Sequence, residues 1–92
     1  MLKKDPESLL KKRPALIHSE DVKVASHVQR EEGDWILHTL MITGYDVPFV
    51  YKRKQRYQDL KGARVNLSYY PSHQLRAGFE FEIMKVVRLR RS

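Results

Sequence analysis

No cysteine occurs in the 92 residues of this chain. Disulfides and thiolate metal sites are excluded, and with them the stapled design of small secreted domains. With only four glycines, the chain offers no Gly-rich phosphate loop, and it carries neither a nucleophile elbow nor a metal-ligand motif. No apolar run approaches the length of a membrane span. The N-terminal stretch MLKKDPESLLKKRPALIHSED has charges but no apolar block of signal-peptide length. A cytoplasmic protein is the default expectation.

Acid is also in short supply, with 11 Asp and Glu against 18 Lys and Arg for a net charge of +7. Such an excess favours polyanionic partners such as nucleic acid, acidic proteins or anionic lipid. The plainer alternative is that the charge keeps a small protein soluble. At 41% hydrophobic and 32% charged, the composition is that of a globular chain. Its length fits one domain with a modest core and little room for a deep cleft.

The pattern along the chain divides it into an N-terminal helix with a connector, residues 1–21, and a β domain, residues 22–92. Asp5 caps a short helix, Pro6 suits its first position, and Lys11 to Arg13 face the negative end of its dipole before Pro14 stops it. ALIHSED then reads as connector. Strands are expected over 22–31, 35–43, 49–57, 63–70 and 79–90. Val22, Val24, Ser26 and Val28 alternate on one face of the first. The second, WILHTLMIT, is rich in β-formers and reads as central. Phe79, Phe81 and Ile83 share a face of the last, and an apparent phase slip at Met84-Lys85 suggests a bulge. PSHQLRAG reads as the longest loop. Short strands at this spacing predict a mostly β fold, a small five-stranded antiparallel barrel or strongly bent sheet. The expected core includes Val22, Val24, Val28, Trp35, Leu37, Leu40, Ile42, Phe49, Val65, Leu67, Phe79, Phe81, Ile83 and Val86.

A helix followed by five strands is closer in layout to SH3-like or Sm-like barrels than to the OB order. QDLKG has no room for the helix an OB-fold places between its third and fourth strands. Sm-type sequence signatures are absent, and layout does not fix function.

The candidate binding residues lie in FVYKRKQRYQDLKGAR and its neighbours. Lys52, Arg53, Lys54, Arg56, Lys61 and Arg64 supply cations. Tyr51, Tyr57 and Tyr70 supply aromatic faces, as single-stranded nucleic-acid binders do. Arg88 and Arg90 share a strand face near the C-terminus, in KVVRLRRS. If they lie beside the basic hairpin, the patches merge into one phosphate-binding surface. A hairpin joining 49–57 to 63–70 would instead collect charge at one end and aromatics at the other.

Three other constellations read more plainly. A symmetric two- or four-residue loop at 31–34 sets His27 opposite His38 and a three-residue loop removes the pairing, but two imidazoles fall short of a zinc site in any case. Glu80 and Glu82 share a face, with no cleft or nucleophile signalled around them. Ser72 and His73 are neighbours in sequence, which rarely gives dyad geometry. The expectation is a non-enzymatic nucleic-acid-binding module for RNA or single strands, with no cofactor, metal or small-molecule substrate. The alternative is a protein-interaction or homodimer module docking through Leu2, Leu9 and Leu10.

Overall fold

The computed structural model describes residues 15–92. Its strands are β1 (Ile17–Glu32), β2 (Trp35–Ile42), β3 (Phe49–Arg53), β4 (Arg64–Arg76) and β5 (Phe79–Arg91). No helix occurs among the described residues. The expected N-terminal helix and its leucines lie outside them.

The pairing order β1-β2-β3-β5-β4 returns to β1, so the sheet closes on itself. Closure leaves fewer open strand edges. A ring with an odd number of strands cannot alternate direction all the way round. One pair must run parallel, and it is β3 with β5. The all-antiparallel expectation is corrected on this point. The parallel seam is also the shortest, joining only Phe49 to Met84 and Val50 to Lys85. Beyond it the two strands part. The hairpin expected between residues 49–57 and 63–70 is not formed, because β3 pairs with β2 and β5 instead.

β1 starts at Ile17, so the end of the expected connector is strand. Its first residues pair with β4, from Ile17 opposite Tyr69 to Ser19 opposite Leu67. The register shifts before Val22, where Asp21 takes φ 56°. Aspartate tolerates this left-handed region better than most residues. A second irregularity between Val24 and Ser26 reverses the alternation that the sequence suggests. Val24 is fully buried and Val28 is 48% exposed, as a bulge requires.

The interior holds Val24, Leu40, Ile42, Phe49, Tyr51, Leu60, Val65, Leu67, Tyr69 and Val86. β5 explains the apparent slip at Met84. Met84 and Val86 face this interior, while Ile83 packs with Leu37 and Val50 in a separate small cluster. The strand is thus covered on both faces there. Its register irregularity lies further along, between the pairs Ser68–Arg88 and Tyr69–Val86, leaving Val87 as the extra residue.

The stretch read as the longest loop is strand. β4 runs on to Arg76 and pairs with β5 throughout. Pro71 fits because β1 has already left β4 at Tyr69, so one side of β4 needs no donor there. The extended hairpin carries Phe79 and Phe81 past the interior and leaves them exposed, together with Leu75. Those two phenylalanines, like Val28 and the 42%-exposed Trp35, are corrected from core to surface.

The hairpin turns through Ala77 (φ 50°) and Gly78 (φ 80°). Two successive positive φ values suit a tight primed turn, but alanine carries a steric penalty at the first of them. Ala77→Gly is therefore expected to stabilise the fold by about 1 kcal/mol, read as a higher midpoint in urea denaturation with an unchanged slope.

Candidate nucleic-acid interface

Where β3 and β5 part, the connection from β3 to β4 folds back over the opening. Leu60 is the anchor of this connection, buried among the core side chains. Three side chains of β1 and β2 hold it. Gln29 acts as a substitute strand: Tyr57 N–H donates to its Oε1 at 2.8 Å, and its Nε2 donates to the Tyr57 carbonyl at 2.6 Å. His27 and His38 hold the connection at two further points.

Their proton positions follow from their partners. The Leu60 N–H can only donate, so His27 Nδ1 accepts it, at 3.0 Å. The Gln55 carbonyl can only accept, so His38 Nε2 donates, at 3.3 Å. His27 Nε2–H must then donate to His38 Nδ1, at 2.9 Å. All four ring nitrogens are engaged, and both rings are neutral in this chain of bonds. The two residues are diagonal rather than opposed. His27 pairs with Leu40 and His38 with Gln29, because the two-residue turn is centred on Gly33–Asp34, one residue beyond the centre that would oppose them. No group of three or more potential metal ligands occurs among the described residues.

Burial holds the His27 imidazole below its ordinary value of 6.5, with Asp59 pulling the other way. Burial likewise lowers His38; the Gln55 bond opposes this, while His27, Arg53 and Arg56 add to it. The unfolded chain thus takes up protons first as pH falls. Stability is fully present above 6.5 and drains as pH drops from there through the lowered folded values. Urea midpoints should accordingly be flat between pH 7 and 8 and should fall between pH 6.5 and 5. In His27→Gln/His38→Gln this fall should be shallower.

The histidine chain also fixes the tyrosines. Tyr51 stacks on His38, with centroids 4.7 Å apart and planes 4° from parallel. It is buried, and its phenol is pushed up to about 12. Tyr51 thus forms a wall of the site and cannot stack freely on a base. Tyr57 leans on His38 at 5.7 Å but remains 51% exposed.

A cavity of about 340 Å³ opens here. Arg53 and Tyr57 approach from the β3 side, and Leu89, Arg90 and Arg91 from β5. Leu60 and Tyr51 give it an apolar floor, and no acidic side chain lines it. Comparisons with family models, curated proteins and solved structures give no match. What the cleft can bind is therefore read from its own chemistry: three guanidinium groups, one exposed aromatic ring and an apolar floor.

The cleft gathers Arg53, Tyr57 and Arg90 from the expected set, with Tyr51 behind them. The other candidates sit elsewhere. Lys52 pairs with Glu32 at 3.0 Å, which holds that carboxyl below its usual range. Lys54 Nζ lies 4.3 Å from the Trp35 ring centroid. Arg56 bonds the Gln29 carbonyl and faces Glu31 at 3.9 Å. Arg64 bonds the Asp21 carbonyl at 2.9 Å. Lys61 is exposed in the turn before β4, and Tyr70 lines neither this cavity nor the larger one beside it. Arg88 lies in a small cavity with Glu20 and Asn66, which Arg90 lines as well as the cleft. Glu80 and Glu82 are exposed on the hairpin, and neither forms an ion pair among the described residues.

Arg91 and Leu89 are additions that alternation alone misses. β5 pairs with β4 through Arg91 but with β3 only up to Lys85, so its free edge borders the cleft and Leu89, Arg90 and Arg91 all line it. The only early sign of this grouping is the density of arginine in RLRRS. Gln29 carries no signal in sequence beyond a polar residue on a strand face, and the histidines signal a cross-strand pair but not their hold on the β3–β4 connection.

Proposed function

We propose that this chain is a small, non-enzymatic β-barrel module that binds nucleic acid, RNA or a single strand, in the cleft between β3 and β5. The observation that carries this reading is the convergence of Arg53, Arg90 and Arg91 with exposed Tyr57 around a cavity without a lining carboxylate. Cations that track a backbone beside an aromatic platform are the working parts of sequence-tolerant strand binding. None of the three arginines has a carboxylate within salt-bridge distance among the described residues, so a phosphate meets no competing anion there, although Arg53 also donates to the Lys52 carbonyl at 2.8 Å and lies over the Tyr51 ring. Amide chemical-shift mapping with a short oligouridylate tests the proposal. Perturbations should concentrate in Arg53–Leu60 and Leu89–Arg91. Shifts confined to the tip of the β4–β5 hairpin, Leu75–Phe81, or none at low salt, would oppose it.

A second reading, a protein-contact module, draws on the exposed Leu75, Phe79 and Phe81 at the hairpin tip. Phe79 and Phe81 share one face of the hairpin and Leu75 lies on the other, and exposed apolar side chains side by side mark contact surfaces more often than scattered ones do. Sedimentation across concentration separates its homodimer form, since a concentration-independent monomer removes it. No helix of the described residues is long and apolar enough to cross a membrane.

A further inference from the structure

Arg53 and Tyr51 belong to two cavities, not one. On the other side of Arg53 lies the larger, about 440 Å³. It is enclosed between the β2–β3 face and the β4–β5 hairpin. Its floor is the apolar trio Leu37, Val50 and Ile83. Lys52 and Lys85 stand on its walls, Trp35 lines it, and again no acidic side chain does.

We infer that the two cavities form one path for a single strand of nucleic acid. Tyr57 stacks a base at one end, Trp35 stacks a base at the other, and Arg53 holds the phosphate between them. This rests on the nucleic-acid reading above and specifies its strand class and its second contact point. The seam explains the path. β3 and β5 are joined only at Phe49–Met84 and Val50–Lys85; the larger cavity lies over the end of this joined stretch, at Val50, Ile83 and Lys85, the smaller one beside the open stretch that begins at Tyr51, and Tyr51 and Arg53 line both. A duplex keeps its base faces inside its own stack and could not use Tyr57 or Trp35, whereas an unpaired strand presents them. The two walls differ in readiness. Lys85 has no carboxylate partner among the described residues, while Lys52 must exchange Glu32, 3.0 Å away, for a phosphate.

Trp35 has a plainer role open to it, that of a strand-end side chain packed under Lys54. The two roles separate in one experiment, because Trp35 is the sole tryptophan of the chain. A labelled oligouridylate is followed by anisotropy while Trp35 emission is recorded in the unmodified protein. The inference expects emission quenching that saturates together with the anisotropy. It also expects about a tenfold loss of affinity in Trp35→Ala, and weaker competition from a duplex than from a single strand. Binding by anisotropy with unmoved Trp35 emission and unchanged Trp35→Ala affinity would overturn the path and leave the Tyr57 cleft standing. Equal competition by duplex would overturn the strand class. Absence of binding at low salt would remove both the path and the reading beneath it.

Discussion

His38→Ala is expected to lower the unfolding free energy by about 3 kcal/mol, the scale for deleting a large, fully buried side chain and stranding its hydrogen-bond partners. His38 is completely buried. Its loss leaves a void against Tyr51 and strands both His27 Nε2–H and the Gln55 carbonyl. The clamp on the β3–β4 connection then loosens, so the Leu60 amide should exchange faster than amides of β2. His38→Phe separates the contributions. It keeps a ring against Tyr51 but makes neither hydrogen bond, and about half the loss should remain. Chemical denaturation at pH 8, where both imidazoles are neutral, reads both variants. A loss below about 1 kcal/mol in the alanine variant would mean that the connection holds without the histidines.

The second large effect concerns binding. Arg90→Glu/Arg91→Glu is expected to weaken oligonucleotide affinity roughly a hundredfold at low salt and to flatten the salt dependence by about 1.4 in log–log slope, two phosphate contacts' worth for a single strand. Both side chains are exposed and unpaired among the described residues, so the melting temperature should hardly move. Lys61→Glu/Arg64→Glu makes the same change in net charge outside the cleft and should leave affinity within about threefold, since long-range attraction is screened over roughly 10 Å. Equal losses in both double variants would mean that net charge, rather than the cleft, governs binding.

The sequence makes some of this legible and hides the rest for physical reasons. The runs WILHTLMIT and ARVNLSYY declare strands because β-formers and alternation are local properties. Local pattern fails at Val28, Phe79 and Phe81, where a bulge or an overlong hairpin decides which face is buried. PSHQLRAG looks like a loop because Pro71 breaks the pattern, yet one open strand edge is enough to accept it. One topological fact follows from closure alone: a closed ring of five strands must contain a parallel pair. That pair is the short seam beside which the candidate site opens. The site itself was half legible. The density of cations marks the right strands, but pairing with Glu31, Glu32 and Asp21 takes Arg56, Lys52 and Arg64 out of the free set. Tyr51 looks like a stacking platform in one dimension and is a wall in three.

The central claim is that the β3–β5 cleft is a phosphate-binding groove for an unpaired strand. Its most direct test is the affinity of the unmodified protein for a short oligouridylate across a salt series, measured by anisotropy. Three phosphate contacts from Arg53, Arg90 and Arg91 predict a log–log slope of about −2, becoming steeper if Lys52 and Lys85 take part. No detectable binding at low salt, or an affinity that salt leaves unchanged, would contradict it.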